Sequence, residues 1–425
     1  MKKNLNRIIA FAIGVSVISG STMPTFAADI TQNASASTNI KNQENMKPVL
    51  TLDDSIKLAI NSSEILALDE KKINYKDKIN DVNEKIDDDP QLVGKLEIET
   101  SDDKKDLDKD TRDIELKQCK QQRDFDEDKL IQKVTTAYND IVTNQMKIDK
   151  AKNDIELKNR ELNITQLRSD IGSATSVDLD ADSLKIEDLE DKLKSSENTL
   201  KDAQYSFKVL TGKDVTKYSL EEDIKYDVFK IDGSVDEHFD DAIENYLKYS
   251  TQIIKLDKDF FNDSDHKVPD VTDKPSDDKP VFNNDGDLKA YEEYETKMDN
   301  YYQERETYAY KLSIRLAYLN AKLGAYEGET NLDETKKQFK DQLRSFYTML
   351  LTTEDTINFL KKNIMLYNKE LKISKVKYDD GLITKIDYDT QVSNSEDLNI
   401  QLRSAIDRYN TLKEEIEKPW IAFSK

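Results

Sequence analysis

Two glycines, Gly172 and Gly381, interrupt long charged stretches of the sequence in the same manner. Each glycine is followed three residues later by threonine and six residues later by aspartate. When the glycines are superposed, the surrounding residues agree without a gap: Tyr138 with Tyr347, Ile148 with Ile357, Asn159 with Asn368, Glu161 with Glu370, Leu162 with Leu371, Thr175 with Thr384, Asp178 with Asp387 and Leu193 with Leu402. This agreement predicts a tandem duplication with the glycine break as its landmark.

Apolar residues recur every seven positions on both sides of each break. In the first copy they are Val134, Ile141, Ile148, Ile155 and Leu162, then Ile186, Leu193, Leu200 and Phe207. In the second copy they are Leu343, Leu350, Ile357, Ile364 and Leu371, then Leu402, Tyr409 and Ile416. A strict seven-residue period is typical of supercoiled helices. Only 10 Gly and 7 Pro occur among 425 residues, and 35% of the residues are charged, which also favours long helices. The sequence predicts an all-α protein of long antiparallel coiled-coil helices.

The glycine break itself predicts a helical hairpin. Glycine readily adopts the left-handed conformation that ends a helix. Thr175 and Thr384 can cap the next helix, and Asp178 and Asp387 place a carboxylate at its positive end. Because the connection is short, the two helices should lie antiparallel. From the spacing alone, such a tip is either a purely structural turn or a surface that also binds a partner.

The N-terminus is predicted to be a secretory signal peptide. Lys2 and Lys3 precede an apolar run that is too short to span a membrane, and Thr25-Phe26-Ala27 places small residues where a signal peptidase cleaves. We expect cleavage after Ala27, so that the mature protein is exported across the cytoplasmic membrane. No later segment is apolar enough to form a membrane-spanning helix.

The duplication divides the rest of the chain into a flexible N-terminal segment, a first repeat, a linker, a second repeat and a tail, at 28–49, 50–211, 212–235, 236–418 and 419–425. Each repeat consists of a short opening helix, a polar insert, a long helix, the glycine tip and a return helix. Thr51 is the predicted N-cap of the first opening helix. The first long helix is predicted over Leu107–Asp170. The corresponding region Leu288–Tyr378 is longer, and we expect Gly324 and Gly328 to interrupt it.

The sequence contains no pattern typical of an enzyme, a cofactor site or a metal site. It has two histidines and a single cysteine, Cys119, and no glycine-rich phosphate loop. The net charge of -22 argues against nucleic acid as a partner. The acidic second insert is either a solvated linker or a weak calcium site, formed by Asp263, Asp265, Asp285 and Asp287. We predict a non-enzymatic protein with no metal and no cofactor.

Two segments resemble the TolC family of outer-membrane efflux ducts: LTLDDSIKLAINSSEIL and KYDDGLITKIDYDTQVSNSEDLNIQLRSAIDRYNTLKEEI. The resemblance covers roughly residues 50–418 and implies a homotrimer whose helices surround a duct. It also implies that the hairpin tips contact a membrane-fusion (adaptor) protein and an inner-membrane transporter. The partner-docking residues implied in this way are Gly172, Ser173, Thr175, Gly381, Leu382 and Thr384.

The polar inserts depart from the family pattern. A transmembrane β-strand needs about 9–11 residues of alternating polarity, and neither insert contains such a run. We therefore predict TolC-like α-hairpins without a transmembrane β-barrel, in a protein of the cell envelope or the extracellular space. The predicted function is a component of an export or efflux duct. The alternative is a secreted coiled-coil protein with a structural or binding role and no transport activity.

Overall fold

The computed structural model describes residues 47–89, 91–93, 96–98, 101–283 and 288–423. The predicted signal peptide 1–27 and most of the predicted flexible segment 28–49 lie outside these residues. No helix among the described residues is both long enough and apolar enough to cross a membrane.

Helices dominate the described chain, which confirms the predicted all-α class. They are α1 (Leu52–Ser62), α2 (Glu64–Asp88), α3 (Asp102–Asp170), α4 (Ser176–Thr211), α5 (Val235–Asn262), α6 (Leu288–Asp379), α7 (Lys385–Glu417) and α8 (Trp420–Phe423). The strands are β1 (Val49–Leu50), β2 (Gln91–Val93), β3 (Leu96–Ile98) and β4 (Ser219–Leu220). Strand β1 pairs with β4 in parallel, and β2 pairs with β3 antiparallel. Thr51 caps α1 as predicted, because its side chain accepts the backbone N–H of Asp54.

Helix α6 runs through 92 residues without a break. The expected interruption at Gly324 and Gly328 is therefore wrong. A glycine inside a helix costs only about 1 kcal/mol relative to alanine, and packing on α5 opposes this cost. Ala325, between the two glycines, is buried, and the Tyr326 hydroxyl donates to the Asn262 side chain over 2.7 Å.

The chain forms two compact units. We call the unit formed by Leu68–Arg123 and Ile243–Lys340 the insert unit, because it contains both polar inserts. We call the other the hairpin unit; its described residues are 47–67, 124–242 and 341–423. Each unit contains residues of both predicted repeats, so the boundaries of the two compact units differ from the boundaries of the two repeats.

Four helices form a layer in the hairpin unit, in the order α4, α3, α7 and α6. Side-chain contacts join each neighbouring pair: Thr165 donates to Asp182 between α3 and α4, Asn139 donates to Asp407 between α3 and α7, and Ser374 donates to Gln391 between α6 and α7. The predicted apolar stripes lie between the helices. Their most deeply buried members are Val134, Phe207, Leu343, Leu350, Ile357, Tyr409 and Ile416.

Two segments outside the predicted repeats are attached to this layer. Within 212–235, the predicted linker, the backbone N–H of Glu221 donates to the Tyr138 hydroxyl and that of Phe229 donates to the Tyr409 hydroxyl, each over 2.8 Å. In the predicted tail, the Trp420 ring stacks on Phe125 with centroids 4.4 Å apart. Both segments therefore contribute to the packing of the hairpin unit.

The insert unit is a second helical layer, in which α2 contacts α3, α3 contacts α5 and α5 contacts α6. Lys76 of α2 forms an ion pair with Glu115 of α3 at 2.6 Å. Gln118 of α3 donates to Ser250 of α5 over 3.1 Å, and Lys258 of α5 forms an ion pair with Glu329 of α6. The first insert forms the short β2–β3 hairpin, which the sequence did not predict. The second insert has no helix or strand in its described residues 263–283. This insert precedes α6 in the sequence and contacts it, because Arg315 of α6 forms an ion pair with Asp270 of the insert at 2.7 Å.

Candidate functional site: the two hairpin tips

The six residues predicted to dock a partner lie in two loops of the hairpin unit. Gly172, Ser173 and Thr175 connect α3 to α4, and Gly381, Leu382 and Thr384 connect α6 to α7. The structure thus brings together the three residues of each set. The two hairpins lie side by side, because α3 and α7 are joined below the tips by an ion pair between Arg160 and Asp389 at 2.9 Å.

Both glycines end a helix in the left-handed region, as predicted, with φ of 74° at Gly172 and 71° at Gly381. The N–H of Leu382 donates to the Lys377 carbonyl over 2.7 Å, and the N–H of Gly381 donates to the Tyr378 carbonyl over 3.0 Å. These two bonds define the Schellman motif, which satisfies carbonyls that the helix end leaves unpaired. The first tip has the equivalent bonds, from Ser173 to Arg168 and from Gly172 to Ser169.

The next helix of each hairpin begins with a complete capping box, which confirms the predicted N-caps. Asp178 donates its N–H to the Thr175 hydroxyl over 3.2 Å and accepts the Thr175 N–H over 2.7 Å. Asp387 and Thr384 make the same pair of bonds, at 3.1 Å and 3.0 Å. The bonds from Thr175 and Thr384 to the carboxylates lower the pKa of Asp178 and of Asp387. Both loops are therefore fixed at both ends.

The tips expose large apolar side chains to solvent. Leu382 lies in the loop beyond the seven-residue stripe, a position for which the sequence predicts an exposed side chain. It is 72% exposed, which confirms this prediction. The first tip exposes two apolar residues that the sequence analysis did not select, Ile171 at 80% and Val177 at 71%. Both residues lie next to the turn and outside the seven-residue stripe, and this position in the sequence could have indicated that their side chains are exposed. The tip surface therefore has apolar groups on both loops.

The apolar groups occupy different positions on the two loops. In the predicted register Leu382 corresponds to Ser173, and Ile171 corresponds to Asp380. Val177 corresponds to Ile386, which is half-buried. The two tips are thus similar in backbone and different in surface, so a partner that contacts both must recognise each loop separately.

Aromatic rings and a lysine flank the second tip. Tyr378 and Tyr388 stack with ring centroids 5.6 Å apart, and the Lys375 ammonium lies 5.3 Å and 5.7 Å from the two centroids. A hydrogen bond to Asp379 raises the pKa of Lys375. Lys375 and Tyr388 line a shallow groove together with Asn368, Leu371 and Lys372. The groove offers two lysine side chains and one aromatic ring for contact with a partner.

The described residues contain no group of three or more His, Cys, Asp or Glu side chains that could hold a metal ion. Asp263 instead accepts the backbone N–H of Asp265 over 2.9 Å, a contact typical of a turn. Asp285 and Asp287, the other two residues of the calcium alternative, lie outside the described residues.

The sequence matches no protein-family model and no curated protein, but the structure resembles solved outer membrane channels. The Campylobacter jejuni channel CmeC superposes with a TM-score of 0.53 at 12% identity, over 87% of this chain and 85% of CmeC. The channel OprN gives 0.53 at 10% identity, over 87% of this chain and 90% of OprN. VceC from Vibrio cholerae gives 0.51 at 12% identity, over 86% and 96%. At these identities the likeness defines the fold: the chain has the TolC-like fold of outer membrane channels, which are not enzymes.

Proposed function

We propose that this protein is a component of an export or efflux duct of the cell envelope, in which copies of the chain assemble side by side and the hairpin tips dock another envelope protein. The TolC-like fold supports a duct, and the solved structures that share it are outer membrane channels. One observation carries the assembly: helix α6, at one end of the layer, exposes apolar residues at positions whose counterparts in the first repeat are buried.

The two helices at the ends of the four-helix layer are α4 and α6. Leu157 of α3 faces the layer and is only 6% exposed, whereas Leu366 of α6, its counterpart in the predicted register, is 54% exposed. Val142 of α3 is likewise buried, and its counterpart Leu351 is exposed. Burial of these α3 residues against the layer stabilises one copy, so the equivalent α6 residues favour contact with a further helix.

Charged residues indicate that the helix covering α6 is α4 of a second copy. Between α3 and α7, Arg160 binds Asp389 and Asn153 donates to Glu396. In the predicted register, α6 corresponds to α3 and α4 corresponds to α7. The residues of α6 and α4 that correspond to these two contacts are Lys369 with Asp180 and Lys362 with Glu187, and both are pairs of opposite charge. Within one chain α4 and α6 are at opposite ends of the layer, so the α4 that meets α6 belongs to a second copy.

This contact is head-to-tail, because it joins two different surfaces. Repeated head-to-tail contacts close into a ring when the rotation between copies permits it. Three copies, the number implied by the TolC resemblance, would give a ring of twelve hairpin helices, since each copy contributes α3, α4, α6 and α7. The tips of these hairpins would present Ile171, Val177 and Leu382 to a membrane-fusion protein or an inner-membrane transporter.

The molar mass of the exported protein in solution tests the assembly. We expect a trimer by light scattering, and we expect Leu366→Glu to shift it to monomer, because an unpaired charge in an apolar interface is strongly unfavourable. Leu382→Glu is the matched control, since the same change at a tip should leave the mass unaltered. A wild-type monomer at all concentrations would contradict the duct and would favour the alternative of a secreted coiled-coil protein with a structural or binding role.

A further inference from the structure

Helix α2, at one end of the layer in the insert unit, has its polar side chains inside and apolar side chains outside. It packs on α3 through charged groups, since Lys76 binds Glu115 at 2.6 Å and Asp87 binds Arg112 at 2.8 Å. Its apolar side chains are between 48% and 65% exposed, and we call them the α2 stripe: Leu68, Tyr75, Ile79, Val82 and Ile86. Helix α2 thus presents an uncovered apolar edge.

Helix α6, at the other end of the same layer, exposes a similar edge. Its apolar side chains are between 43% and 60% exposed, and we call them the α6 stripe: Leu312, Leu316, Leu319, Leu323 and Tyr326. The face of α6 that packs in its own unit is a different one, where Tyr318 and Ala325 are buried. Both stripes alternate in steps of three and four residues, with Lys72 at the one polar position of the α2 series. This spacing is typical of a coiled-coil edge.

The repeat indicates what α6 lacks at this edge. Leu107 of α3 and Leu316 of α6 have the same place in the predicted register. Leu107 is 4% exposed, whereas Leu316 is 60% exposed. In the insert layer α3 lies between α2 and α5, whereas α6 stands at the end beside α5. The edge of α6 is therefore equivalent to the edge of α3 that α5 covers.

The helix equivalent to α5 in the first repeat is α2. Ile254 and Asp257 of α5 are buried, and Leu66 and Asp69 of α2 are buried at the same spacing. The contact between α3 and α5 therefore has a counterpart between α6 and α2. Within one chain α2 and α6 are at opposite ends of the layer, so the α2 that covers α6 belongs to a second copy.

The contact between α3 and α5 also gives the orientation. Gln118 of α3 donates to Ser250 of α5 over 3.1 Å. Gln121, further along α3, donates to the carbonyl of Asn245, which is earlier in α5, over 2.8 Å. The two helices are therefore antiparallel, and the repeat predicts the same orientation for α6 and the second α2.

We propose that the α6 stripe of one copy binds the α2 stripe of the next copy as an antiparallel coiled coil. The facing pairs are Leu323 with Leu68, Leu316 with Tyr75 and Leu312 with Ile79. The Gln118–Ser250 contact, transferred through the repeat, gives this register to within about half a helical turn. The inference rests on the proposed side-by-side assembly, and it names a second pair of helices, in the insert units, that joins the copies head to tail.

Disulfide cross-linking tests the contact in a Cys119→Ser background, which has no other cysteine. Tyr75→Cys/Leu316→Cys should form covalent links between copies under mild oxidation, and either single variant should form none. An effective thiol concentration in the millimolar range should accelerate the reaction on the order of a hundredfold at micromolar protein. Tyr75→Cys/Leu323→Cys is the matched control, because its second thiol lies about 10 Å further along α6, too far for a disulfide.

Equal rates for the two double variants would overturn the proposal, because the register would then be wrong. Dimers of Leu316→Cys alone, formed as fast as the links of Tyr75→Cys/Leu316→Cys, would also overturn it, because they would require two α6 stripes to meet.

A membrane surface is the competing occupant of the α2 stripe, because Lys71, Lys78 and Lys85 border it. Binding of the wild type to phosphatidylglycerol vesicles that Ile79→Glu/Val82→Glu abolishes, together with no preferential cross-link, would identify that occupant and overturn the proposal. Circular dichroism would establish that Ile79→Glu/Val82→Glu remains folded.

The size of the products separates this contact from the proposed duct. In a closed ring of three copies, Tyr75→Cys/Leu316→Cys should give covalent trimers as its largest product. A ladder of longer products would support the contact and contradict the closed ring. A trimer by light scattering without the preferential cross-link would contradict the α2–α6 contact and leave the duct intact.

Discussion

At the scale of residues, each hairpin tip combines a backbone requirement with a surface. The fold of the second tip needs the backbone conformation of Gly381 and the capping hydroxyl of Thr384. It does not need the side chain of Leu382, which is exposed. A Cβ added at Gly381 would have nothing within 4 Å, so its side-chain space is not what selects glycine. The positive φ selects it. Effects on folding and on binding can therefore be separated by single substitutions.

The two kinds of glycine in the second repeat should respond to alanine in opposite ways. Gly381→Ala should lower the free energy of unfolding by about 1 kcal/mol, because alanine disfavours positive φ. Gly324→Ala, inside the continuous helix α6, should raise it by up to about 1 kcal/mol, because alanine has the higher helix propensity. Guanidinium denaturation measures both. A loss of stability at Gly324 as large as that at Gly381 would contradict this assignment.

Leu382→Asp should change binding and leave folding intact. The side chain is exposed, so the free energy of unfolding should remain within about 0.5 kcal/mol of the wild-type value. If the tip docks a membrane-fusion protein, the new charge should abolish co-purification with that partner. Ser173→Asp, at the corresponding position of the first tip, should have the weaker effect because serine offers no apolar group. A fall in stability with normal co-purification would contradict the docking role.

Asp257, on α5 in the insert unit, should make stability depend on pH. Burial is the main cause that raises the pKa of Asp257 to about 6, and nearby Asp108 and Glu115 raise it further while Lys104 opposes them. The folded protein therefore holds this proton more tightly than the unfolded chain, so stability should fall as pH rises from about 4 to 6.

Asp257→Asn should remove this dependence and stabilise the protein at pH 7.5, by at most about 3 kcal/mol. Denaturation at pH 4.5 and 7.5 compares the variant with wild type. The exposed residue Asp259→Asn, two positions away on α5, is the control that should keep the wild-type dependence. An unchanged pH dependence in Asp257→Asn would show that another group is responsible.

At the scale of elements, the helices of the hairpin unit differ in what covers them. Within the four-helix layer, α3 and α7 each have a neighbour on both sides, whereas α4 and α6 stand at its ends; in addition α1 packs on α4, and the start of α5 packs on α6. Thr165 with Asp182 and Ser374 with Gln391 occupy matching positions in the predicted register, and each pair joins the two helices of its hairpin. The hairpins are thus built alike, and their different surroundings decide which surfaces are free for assembly.

A charge exchange tests the proposed α4–α6 contact. Lys369→Glu should weaken the assembly, because it would place a carboxylate against Asp180 of the neighbouring copy. Asp180→Lys should do the same, and the double variant should recover because the attraction is restored. A pair of this type contributes about 0.2–1 kcal/mol, so sedimentation near the dissociation constant is the suitable measurement. Additive effects in the double variant would show that the two residues do not meet.

At the scale of the whole molecule, the fold consists of two compact units that each draw on both halves of the sequence. The hairpin unit holds the tips and the apolar edges of α4 and α6. The insert unit holds the second insert and exposed apolar residues of α2 and α6. Because α6 contributes residues to both units, one helix carries the second tip and an edge of the hairpin layer.

The sequence by itself determined the features that depend on neighbours a few residues away. These are the helix class, the left-handed glycines, the capping boxes and the exposure of Leu382, because each follows from local hydrogen bonds or from the seven-residue period. The tertiary structure decided what depends on distant residues. Packing on α5 accompanies the continuity of α6 through Gly324, and contacts to Tyr138 and Tyr409 order the segment predicted as a linker. Leu157 and Leu366 have matching places in the pattern and opposite burial, because only one of them has a neighbouring helix to cover it.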